Sequence, residues 1–536
     1  MKKILKRALI LVLCAMFFAA CGTTEKSATT DGAKEEKVAK SDKQAAKEQK
    51  KAEKEKAKAE KQKAKDKKKA GKSKEAKSGD YLVPIEAAVV AGNYDEAYTL
   101  LSDETVQGQL GSDDIYNIDA GMMKLYSNDL PAASQHLGIV ADMQKLNEKY
   151  ADADKVELST LVADSYSQPY VTYDYEDIYA VIFNAITKLK DPATSDAAFQ
   201  DLKNIREMLL SMDQYKVALS EKINKKMGTE GESKSSGPDK AAIAFSDSAL
   251  ANYLALIYNK YNDRDGDQKD YFYSQMEEAY KQSSYSGLSM PVKVAEEKNS
   301  VSAGKARLNI LALMGLMGQK KGDNVEIVPT PIKSITNKMK SNEKIAALGV
   351  GVDMLTSTLT GGLGNREMKV KYTTFEPRQN ESVKCIVNIA GQDFSLDLIE
   401  NVDKIAEACT AYDKDFDVKR AKFRAGSRWT TAAVTYCAAV IAAEKKGGML
   451  AGAATMTAGT VFNKALDAIE EKDMADIRGV HYFPAQVQAG AIELNPGTYD
   501  VNIKFLNAAG TEIATQTKSV EVKAGQLNLL EVECQK

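Results

Sequence analysis

The chain has 536 residues, with 73 Lys or Arg, 75 Asp or Glu and only two His, and its formal net charge is −2 at pH 7. Two histidines exclude a His-rich metal site and a metalloprotease motif with paired histidines. The near-neutral total hides a segregation of charge, because a basic N-terminal part precedes an acidic body.

The first twenty residues have the three-part layout of a secretory signal. Four basic residues come first: Lys2, Lys3, Lys6 and Arg7. An apolar core follows at residues 8–18, and two alanines come after it. The core is shorter than the roughly 20 residues that a spanning helix needs, and this favours a cleaved signal. Residues 1–20 are therefore predicted to be a signal peptide.

The end of the signal, Phe18-Ala19-Ala20-Cys21, resembles the lipobox of bacterial lipoproteins, which usually has Leu where Phe18 stands. The resemblance implies a diacylglycerol on the Cys21 thiol, cleavage just before Cys21, and acylation of the new amino terminus. Two or three acyl chains hold a protein firmly on a membrane, whereas one does so only marginally. Gly22 rather than Asp follows the cysteine, and in that family this favours the outer membrane, facing the periplasm. The alternative is a plain signal peptide, with Cys21 following the cut by chance.

Residues 21–79 are predicted to form a tether between the lipid and the body. Residues 31–79 contain 19 Lys against 10 Asp or Glu, a net charge of +9, and residues 80–536 carry −15. The same stretch has no aromatic residue and one aliphatic residue larger than Ala, Val38, so it cannot form a core. We expect a disordered or partly helical tether reaching on the order of 70 to 150 Å. It is either a solvated spacer or a basic segment that contacts anionic lipid or cell-wall polymer.

Residues 80–298 have the pattern of a helical repeat domain. In "AGNYDEAYTLL", Gly92, Tyr94 and Ala97 resemble part of the tetratricopeptide consensus. About one 34-residue repeat later, "SNDLPAASQHL" has the same form, with Leu130 and Ala133 at the matching positions. Apolar residues at helical spacing form three further stripes: Ile178, Ile182, Ile186 and Leu189; Leu202, Ile205, Leu209 and Met212; Leu250, Leu254, Ile257 and Tyr261. Such stripes need a neighbouring helix, so we expect a tetratricopeptide-like α-helical solenoid.

One loop of this half resembles a calcium site, because Asp263, Asp265 and Asp267 supply alternating oxygens. The glycine of the loop is its fourth residue rather than its sixth, and Ser274 stands at the twelfth position, where a calcium loop has Glu. The sequence therefore favours a connection between two helices over a metal site.

Residues 299–536 have the pattern of an α+β domain. A helix is predicted at 401–423, and strands are predicted at 307–313, 324–328, 367–375 and 382–390. The apolar stretch that begins at Trp429 has two arms of about 14 or 15 residues separated by "EKKGG", and each arm is too short to span a membrane. A buried helical hairpin is the favoured interpretation, and entry into a membrane is the alternative.

The C-terminal part has the pattern of β-structure. After a turn at Asn495-Pro496-Gly497, apolar residues alternate with polar ones at Tyr499, Val501, Ile503 and Phe505. The fold class predicted for the body is therefore multidomain α+β. A tetratricopeptide-like α-helical solenoid is followed by an α+β domain with a C-terminal antiparallel β-sandwich or sheet.

The segment "KDMADIRGVHYFPAQVQAGAIELNPGTYDV", with the helical repeats and the lipobox, resembles a group of uncharacterised tetratricopeptide-like bacterial lipoproteins. The matching positions are Ala475, Asp476, Arg478, Pro484, Ala485, Pro496, Gly497 and Tyr499. Here Pro496 and Gly497 are adjacent, whereas the family has a residue between them, and Phe483 replaces a Leu. The resemblance implies no established biochemistry, although some members are similar to lipoprotein helpers of cell-wall synthases.

Sequence motifs of catalysis are absent, since no GxSxG, HExxH, Walker loop or CxxC occurs. The body has four cysteines: Cys385, Cys409, Cys437 and Cys534. They are either buried thiols that behave as small apolar residues or, in an oxidising envelope, partners in a disulfide. Three pairings are possible, and Cys385–Cys534 is favoured because both residues face inward from strands. No catalytic, cofactor-binding or metal-binding residue is predicted.

These observations favour a non-enzymatic envelope lipoprotein, anchored to the membrane by lipid, that binds a protein partner through its helical repeats as a scaffold or assembly factor. The charge of the body suits a basic partner, and we expect no nucleic-acid partner. One alternative is an accessory activator of cell-wall synthesis, whose partner would be a synthase. Another is a hydrolase of envelope polysaccharide, which would need two close carboxylates in one cleft.

Overall fold

The structure is a computed structural model that describes residues 81–156, 169–227, 244–262, 268–327, 367–444 and 474–536, with residues 464, 467 and 470. Internal contacts divide the chain into two units, Met1–Ser73 and Lys74–Lys536, and all described residues belong to the second. Cys21, the tether, the 263–267 loop and residues 445–463 of the predicted hairpin lie outside the described residues, as does the side chain of Cys437.

The helices of the described part are numbered in chain order. They are α1 Leu82–Val90, α2 Tyr94–Leu101, α3 Glu104–Leu110, α4 Asp113–Tyr126, α5 Leu130–Val140, α6 Met143–Tyr150, α7 Asp174–Leu189, α8 Ser195–Lys203, α9 Ile205–Met227, α10 Ala249–Asn262, α11 Gln268–Ala279, α12 Val292–Ala295 and α13 Val402–Glu444. Successive pairs pack together, α1 with α2, α4 with α5, α7 with α8 and α10 with α11, and each pair contacts the next. We call α1–α12 the helical layer.

Side chains at the helix ends explain several of these boundaries. Ser112 accepts hydrogen bonds from the first N–H groups of α4, while Asp129 and Asp142 do the same for α5 and α6. Capping of this kind satisfies N–H groups that have no partner within the helix. Gly92, which separates α1 from α2, has a φ of 80°, a conformation that costs glycine nothing.

Three of the positions predicted from the repeat pattern are buried, and Leu130 is half-buried against the same core. Tyr94, Ala97 and Ala133 lie in the core of the helical layer. The same core contains the apolar stripes of α7 to α10 except Tyr261, which is half-buried and not part of that core. The helical character predicted for residues 80–298 is confirmed in the described part of that range.

The strands of the described part form two four-stranded sheets and a two-stranded ribbon. They are β1 Ala306–Met314, β2 Gln319–Ile327, β3 Met368–Glu376, β4 Lys384–Ile389, β5 Gln392–Ser395, β6 Asp397–Asn401, β7 Gln486–Leu494, β8 Gly497–Leu506, β9 Glu512–Val522 and β10 Asn528–Cys534. The first sheet has the order β10-β1-β7-β6, the second has the order β5-β4-β8-β9, and the ribbon is β2-β3.

The two four-stranded sheets share one hydrophobic core, as a sandwich does. The α+β class is therefore confirmed, but the sheets are not purely antiparallel. β10 pairs with β1 in parallel, with Ile310 opposite Leu530. Parallel pairing requires a long connection between the two strands, and here most of the C-terminal half lies between β1 and β10 in the sequence.

β1 is buried on both faces and connects the layers of the body. Leu308 and Ile310 point into the sandwich core, whereas Leu311 and Leu313 point into the core of the helical layer. The period of two along a strand produces this alternation. The helical layer, the first sheet and the second sheet therefore pack as three successive layers.

Two elements differ in extent from their predictions. The helix predicted at 401–423 begins as expected, but α13 continues to Glu444, because no proline interrupts residues 424–444. The strand predicted at 324–328 begins earlier, at Gln319, because pairing with β3 supplies its hydrogen bonds despite a polar sequence. No helix in the described part is long and apolar enough to cross a membrane.

Candidate functional site

Residues 475–485, which we call the crossing segment, lead into β7 and contain five of the eight positions that carry the family resemblance. The segment is extended, without regular secondary structure. Its last residues are bonded to the sheet side of the body. Met317 N–H donates to the carbonyl oxygen of Phe483 at 2.8 Å, and Asp403 N–H donates to that of Ala485 at 3.1 Å.

The first buried carboxylate that contacts the crossing segment belongs to Glu176, near the start of α7, and its side chain is fully buried. Its Oε1 accepts from Val480 N–H at 3.2 Å and from the Lys320 ammonium at 2.8 Å. Its Oε2 accepts from the hydroxyl of Tyr170 at 2.5 Å and from Tyr173 N–H at 2.8 Å. One carboxylate thus joins the helical layer, the ribbon and the crossing segment.

Three tyrosine rings enclose the ammonium of Lys320. Its Nζ lies 3.8 Å from the ring centroid of Tyr173, 4.9 Å from that of Tyr170 and 5.7 Å from that of Tyr175. Burial lowers the pKa of Lys320, and the charge of Glu176 opposes that shift. Aromatic faces attract cations, so this cage and the carboxylate together offset part of the lost hydration of the ammonium.

The second buried carboxylate belongs to Asp119, on α4. Its Oδ1 accepts from the backbone N–H groups of His481 at 2.9 Å and Tyr482 at 3.2 Å. Its Oδ2 lies 2.8 Å from Nδ1 of His481, so that nitrogen donates to the carboxylate. The hydroxyl of Tyr126, two turns further along α4, donates to the carbonyl oxygen of Tyr482 at 2.8 Å.

Aromatic packing and an ion pair complete the contacts of the crossing segment. The fully buried ring of Phe483 lies 5.4 Å from that of Phe183 and 5.9 Å from that of Tyr179, both on α7. Arg478 bonds Asp476 with two nitrogens, at 2.8 and 2.7 Å. These contacts fasten the helical layer to the sheets, although the buried hydroxyl of Tyr482 has no hydrogen-bond partner among the described residues.

A third buried carboxylate, that of Glu400 on β6, is held by neutral donors. Its oxygens accept from the hydroxyls of Tyr179, Ser248 and Tyr285 and from Leu250 N–H, at 2.7 to 2.9 Å. Burial raises the pKa of Glu400, and the hydrogen bonds oppose that shift. The side chain therefore connects β6 to the N-terminus of α10.

The hydrolase alternative requires two close carboxylates in a cleft, and one close pair is Asp174 with Asp413. Both bind the ammonium of Lys216, at 2.5 and 2.6 Å, and all three side chains are largely buried. The ammonium of Lys216 lies between the two carboxylates and offsets one of their two charges. Within the described ranges, no group of three or more His, Cys, Asp or Glu side chains is arranged to hold a metal ion.

The structure contains Cys385, Cys409 and Cys534 as buried free thiols, so the predicted Cys385–Cys534 bond is not formed in it. Both members of the predicted pair lie in the sandwich core, on β4 and β10 of opposite sheets. Burial raises the pKa of Cys385, and the neighbouring Cys534 adds to the shift. The inward orientation expected for the two side chains is therefore confirmed, while the pairing itself stays a prediction.

The sequence pattern did not reveal the carboxylates that hold the crossing segment. Asp119 and Glu176 stand in helices beside other acidic residues, and nothing in their spacing separates them from the exposed ones. Their donors are distant in the sequence: Lys320 lies 144 residues after Glu176, and His481 lies 362 residues after Asp119. The family resemblance did mark the crossing segment, although not its contacts.

No family model, no curated protein and no solved structure matches this chain. The resemblance to tetratricopeptide-like lipoproteins therefore rests on the residues quoted above.

Three buried aspartates lead us to expect higher stability at mildly acidic pH. Burial raises the pKa of Asp413 to about 7 and the pKa values of Asp247 and Asp403 to about 6. Between pH 4 and 7 the folded chain holds more protons at these sites than the unfolded chain, so stability falls as pH rises. We expect the free energy of unfolding to fall by about 1.4 kcal/mol or more, the equivalent of one pKa unit.

Urea unfolding at pH 4.5 and 7.5, at constant ionic strength, measures this difference. The Asp403→Asn variant removes one titrating group and is expected to show a smaller difference than the natural chain. Stability that rises over this range would contradict the expectation.

Proposed function

We propose that this chain is a lipid-anchored protein of the bacterial envelope, whose helical layer binds a protein partner as a non-enzymatic scaffold or assembly factor. In this proposal Cys21 carries the lipid and residues 21–79 set the distance from the membrane. The consecutive helix pairs form an irregular tetratricopeptide-like solenoid, an architecture that presents extended binding surfaces.

The observation that carries the proposal is the distribution of exposed apolar side chains. Of the ten exposed large apolar residues in the described part of the chain, eight lie before residue 299, in the helical half. These eight are Val83, Val90, Ile139, Val171, Leu210, Val217, Tyr271 and Val292, and the other two are Val383 and Met474. Because most of the exposed apolar side chains lie on this side of the chain, the helical layer is the better candidate for an interaction surface.

The contacts of the crossing segment indicate which face of the helical layer a partner can reach. The crossing segment contacts α4 and α7 on the side that faces the first sheet. That inner face is therefore occupied by this chain. On α9, by contrast, Leu210 and Val217 are seven residues apart, so they lie on one exposed face of the helix. We therefore place the partner on the outer face.

Photo-crosslinking in intact cells tests the proposal. A photoreactive amino acid at Leu210, which is 38% exposed, is expected to form a specific crosslink to one protein of the envelope. The matched control is Val383, also 38% exposed but in the sheet half, where no crosslink is expected. Crosslinks at Val383 with none in the helical half would contradict the proposal.

Replacing Cys21 with Ala tests the anchor. Because the thiol is the acceptor of the diacylglycerol in the lipobox interpretation, we expect the variant to incorporate no labelled fatty acid and to leave the membrane fraction. Cys385→Ala is the control, since its buried thiol has no part in anchoring. Labelled fatty acid in the Cys21→Ala protein, together with membrane fractionation, would show that the lipobox interpretation is wrong.

A further inference from the structure

The two four-stranded sheets approach each other closely at one corner of the sandwich. The first sheet ends at the edge strand β10, and Lys536 lies two residues beyond it. The carbonyl oxygen of Lys536 accepts from the N–H of Ser382, two residues before β4 of the second sheet, at 3.0 Å. Packed sheets are ordinarily about 10 Å apart, whereas a backbone hydrogen bond brings two chains to about 5 Å. The backbones of the two sheets therefore converge here.

Two cysteines lie just inside this corner, one on each sheet. Cys534, on β10, precedes Lys536 by two residues, and Cys385, on β4, follows Ser382 by three. Because β10 runs towards the corner and β4 runs away from it, the cysteines lie about 7 and 10 Å from the corner along their strands. Both side chains are buried in the sandwich core. The thiols therefore face the same part of one core from opposite sheets.

The electrostatics of the two thiols agree with this placement. Burial raises the pKa of both, and the charge of Cys534 raises the pKa of Cys385 further. That interaction weakens with distance, so the two sulfur atoms lie near each other. Cys409, by contrast, lies in the core of the helical layer, on the other side of the first sheet. Among the thiols that the structure describes, Cys385 and Cys534 are the pair that shares a core.

The folded state protects both thiols from an external oxidant. Only a thiolate attacks a disulfide, and it must be able to reach the disulfide sulfur. Burial removes this access, and the raised pKa values keep the thiols protonated. β10 is an edge strand, so it can dock after the other strands of the sandwich have paired. Both thiols are therefore accessible before β10 docks.

We infer that Cys385 and Cys534 form an intramolecular disulfide that fixes β10 to the second sheet, and that this bond forms before β10 has fully docked. A disulfide needs Cα atoms about 4.4 to 6.8 Å apart, a separation that suits the corner where the two backbones converge. The inference rests on the proposed function, because the envelope is an oxidising compartment in which disulfides persist.

The oxidant is the disulfide of a thiol–disulfide exchange protein. The thiolate of one cysteine attacks that disulfide, forms a mixed disulfide and displaces one sulfur of the oxidant as a thiolate. The thiolate of the second cysteine then attacks the sulfur of the first and displaces the other sulfur of the oxidant. The two cysteines lose two electrons and two protons, and the oxidant becomes a dithiol.

Refolding of the full-length chain tests the pairing. The chain is reduced, unfolded in urea and diluted into oxidised glutathione, and mass spectrometry after alkylation without reductant identifies the cysteine peptides. We expect one linked pair, Cys385 with Cys534, and an alkylated Cys409. The folded, reduced chain is expected to form the bond at least tenfold more slowly, because both thiols are buried. Separately alkylated Cys385 and Cys534 peptides after refolding would overturn the inference, and equal rates would overturn the order of bond formation and docking.

Stability with and without dithiothreitol gives a second readout. The reductant is expected to lower the urea midpoint of the oxidised natural chain, because the bond restricts the unfolded chain. It is expected to leave the midpoint of Cys534→Ala unchanged, whereas the control, Cys409→Ala, should respond as the natural chain does. Each comparison is made within one protein, so the cost of the substitution itself cancels. A natural chain whose midpoint does not respond to dithiothreitol would overturn the inference.

The same peptide analysis on chain isolated from the membrane fraction separates this inference from the proposed function. The linked pair is expected there as well. Reduced Cys385 and Cys534 in a chain that carries lipid on Cys21 would overturn the inference and leave the proposed anchor intact. A bond that forms on refolding, in a chain that carries no lipid in cells, would reject the anchor and support the pairing.

Discussion

Replacing Glu176 with Gln is expected to lower the free energy of unfolding by about 3–5 kcal/mol, the cost of leaving a buried charge without its partner. The ammonium of Lys320, which is 2% exposed, would keep its aromatic cage but lose its counter-charge. The N–H of Val480 would also lose a charged acceptor. Urea unfolding of the full-length chain measures the difference.

Two further variants separate loss of the charge pair from a general effect of mutation. Glu376→Gln removes the carboxylate that pairs with Lys321, and since both side chains are more than 60% exposed, it is expected to change stability by less than about 1 kcal/mol. Glu176→Gln combined with Lys320→Met removes both charges and is expected to recover part of the loss. A Glu176→Gln protein as stable as the Glu376→Gln protein would show that the buried pair does not hold the segment.

Replacing Phe483 with Ala is expected to cost about 3–5 kcal/mol, the range for removing a large aromatic side chain from a core. The ring is fully buried against Phe183 and Tyr179, where the crossing segment meets α7. The deletion would leave a cavity between the helical layer and the first sheet. Urea unfolding at pH 7 gives the loss of stability.

Phe394→Ala is the matched control for that prediction. Phe394 is only half-buried, on the edge strand β5, so its removal exposes less new apolar surface and leaves no enclosed cavity. We expect a clearly smaller loss than for Phe483→Ala. A larger loss for Phe394→Ala would mean that the contact of the crossing segment with α7 contributes little to stability.

Much of the helical layer and of the sandwich follows from local periodicity. The stripe of Ile178, Ile182 and Ile186 predicts a helix with a buried face, and these residues lie in α7, which is buried on nearly all sides. The alternation of Val501, Ile503 and Phe505 requires a strand with one buried face, and β8 shows it. These signals repeat within a few residues, so a single sequence is sufficient to recognise them.

The contacts between layers could not be predicted in the same way. The parallel pairing of β10 with β1 joins strands more than 200 residues apart, and no local pattern distinguishes it from an antiparallel closing strand. The carboxylate of Glu400 accepts hydrogen bonds from donors outside β6, including the hydroxyls of Ser248 and Tyr285. Buried polar groups of this kind become recognisable only when the folded chain shows which donors face them.

The crossing segment has a consequence for where a partner binds. Because Asp119 and Glu176 hold its backbone against α4 and α7, the inner face of the helical layer serves the body itself. In the described part of the chain, that segment covers α4 and α7 where an external chain would otherwise bind. The outer face, with the exposed Leu210 and Val217 of α9, remains accessible.

We expect the crossing segment to join the helical layer and the sheets into one cooperative body. Native-state hydrogen exchange of the full-length chain tests it directly. We expect the slowest amides of α7 and of β8 to exchange at the same free energy, and the amides of Val480, His481 and Tyr482 to be protected with them. Amides of α7 that exchange at a lower free energy than those of β8, with the three crossing-segment amides unprotected, would contradict that expectation.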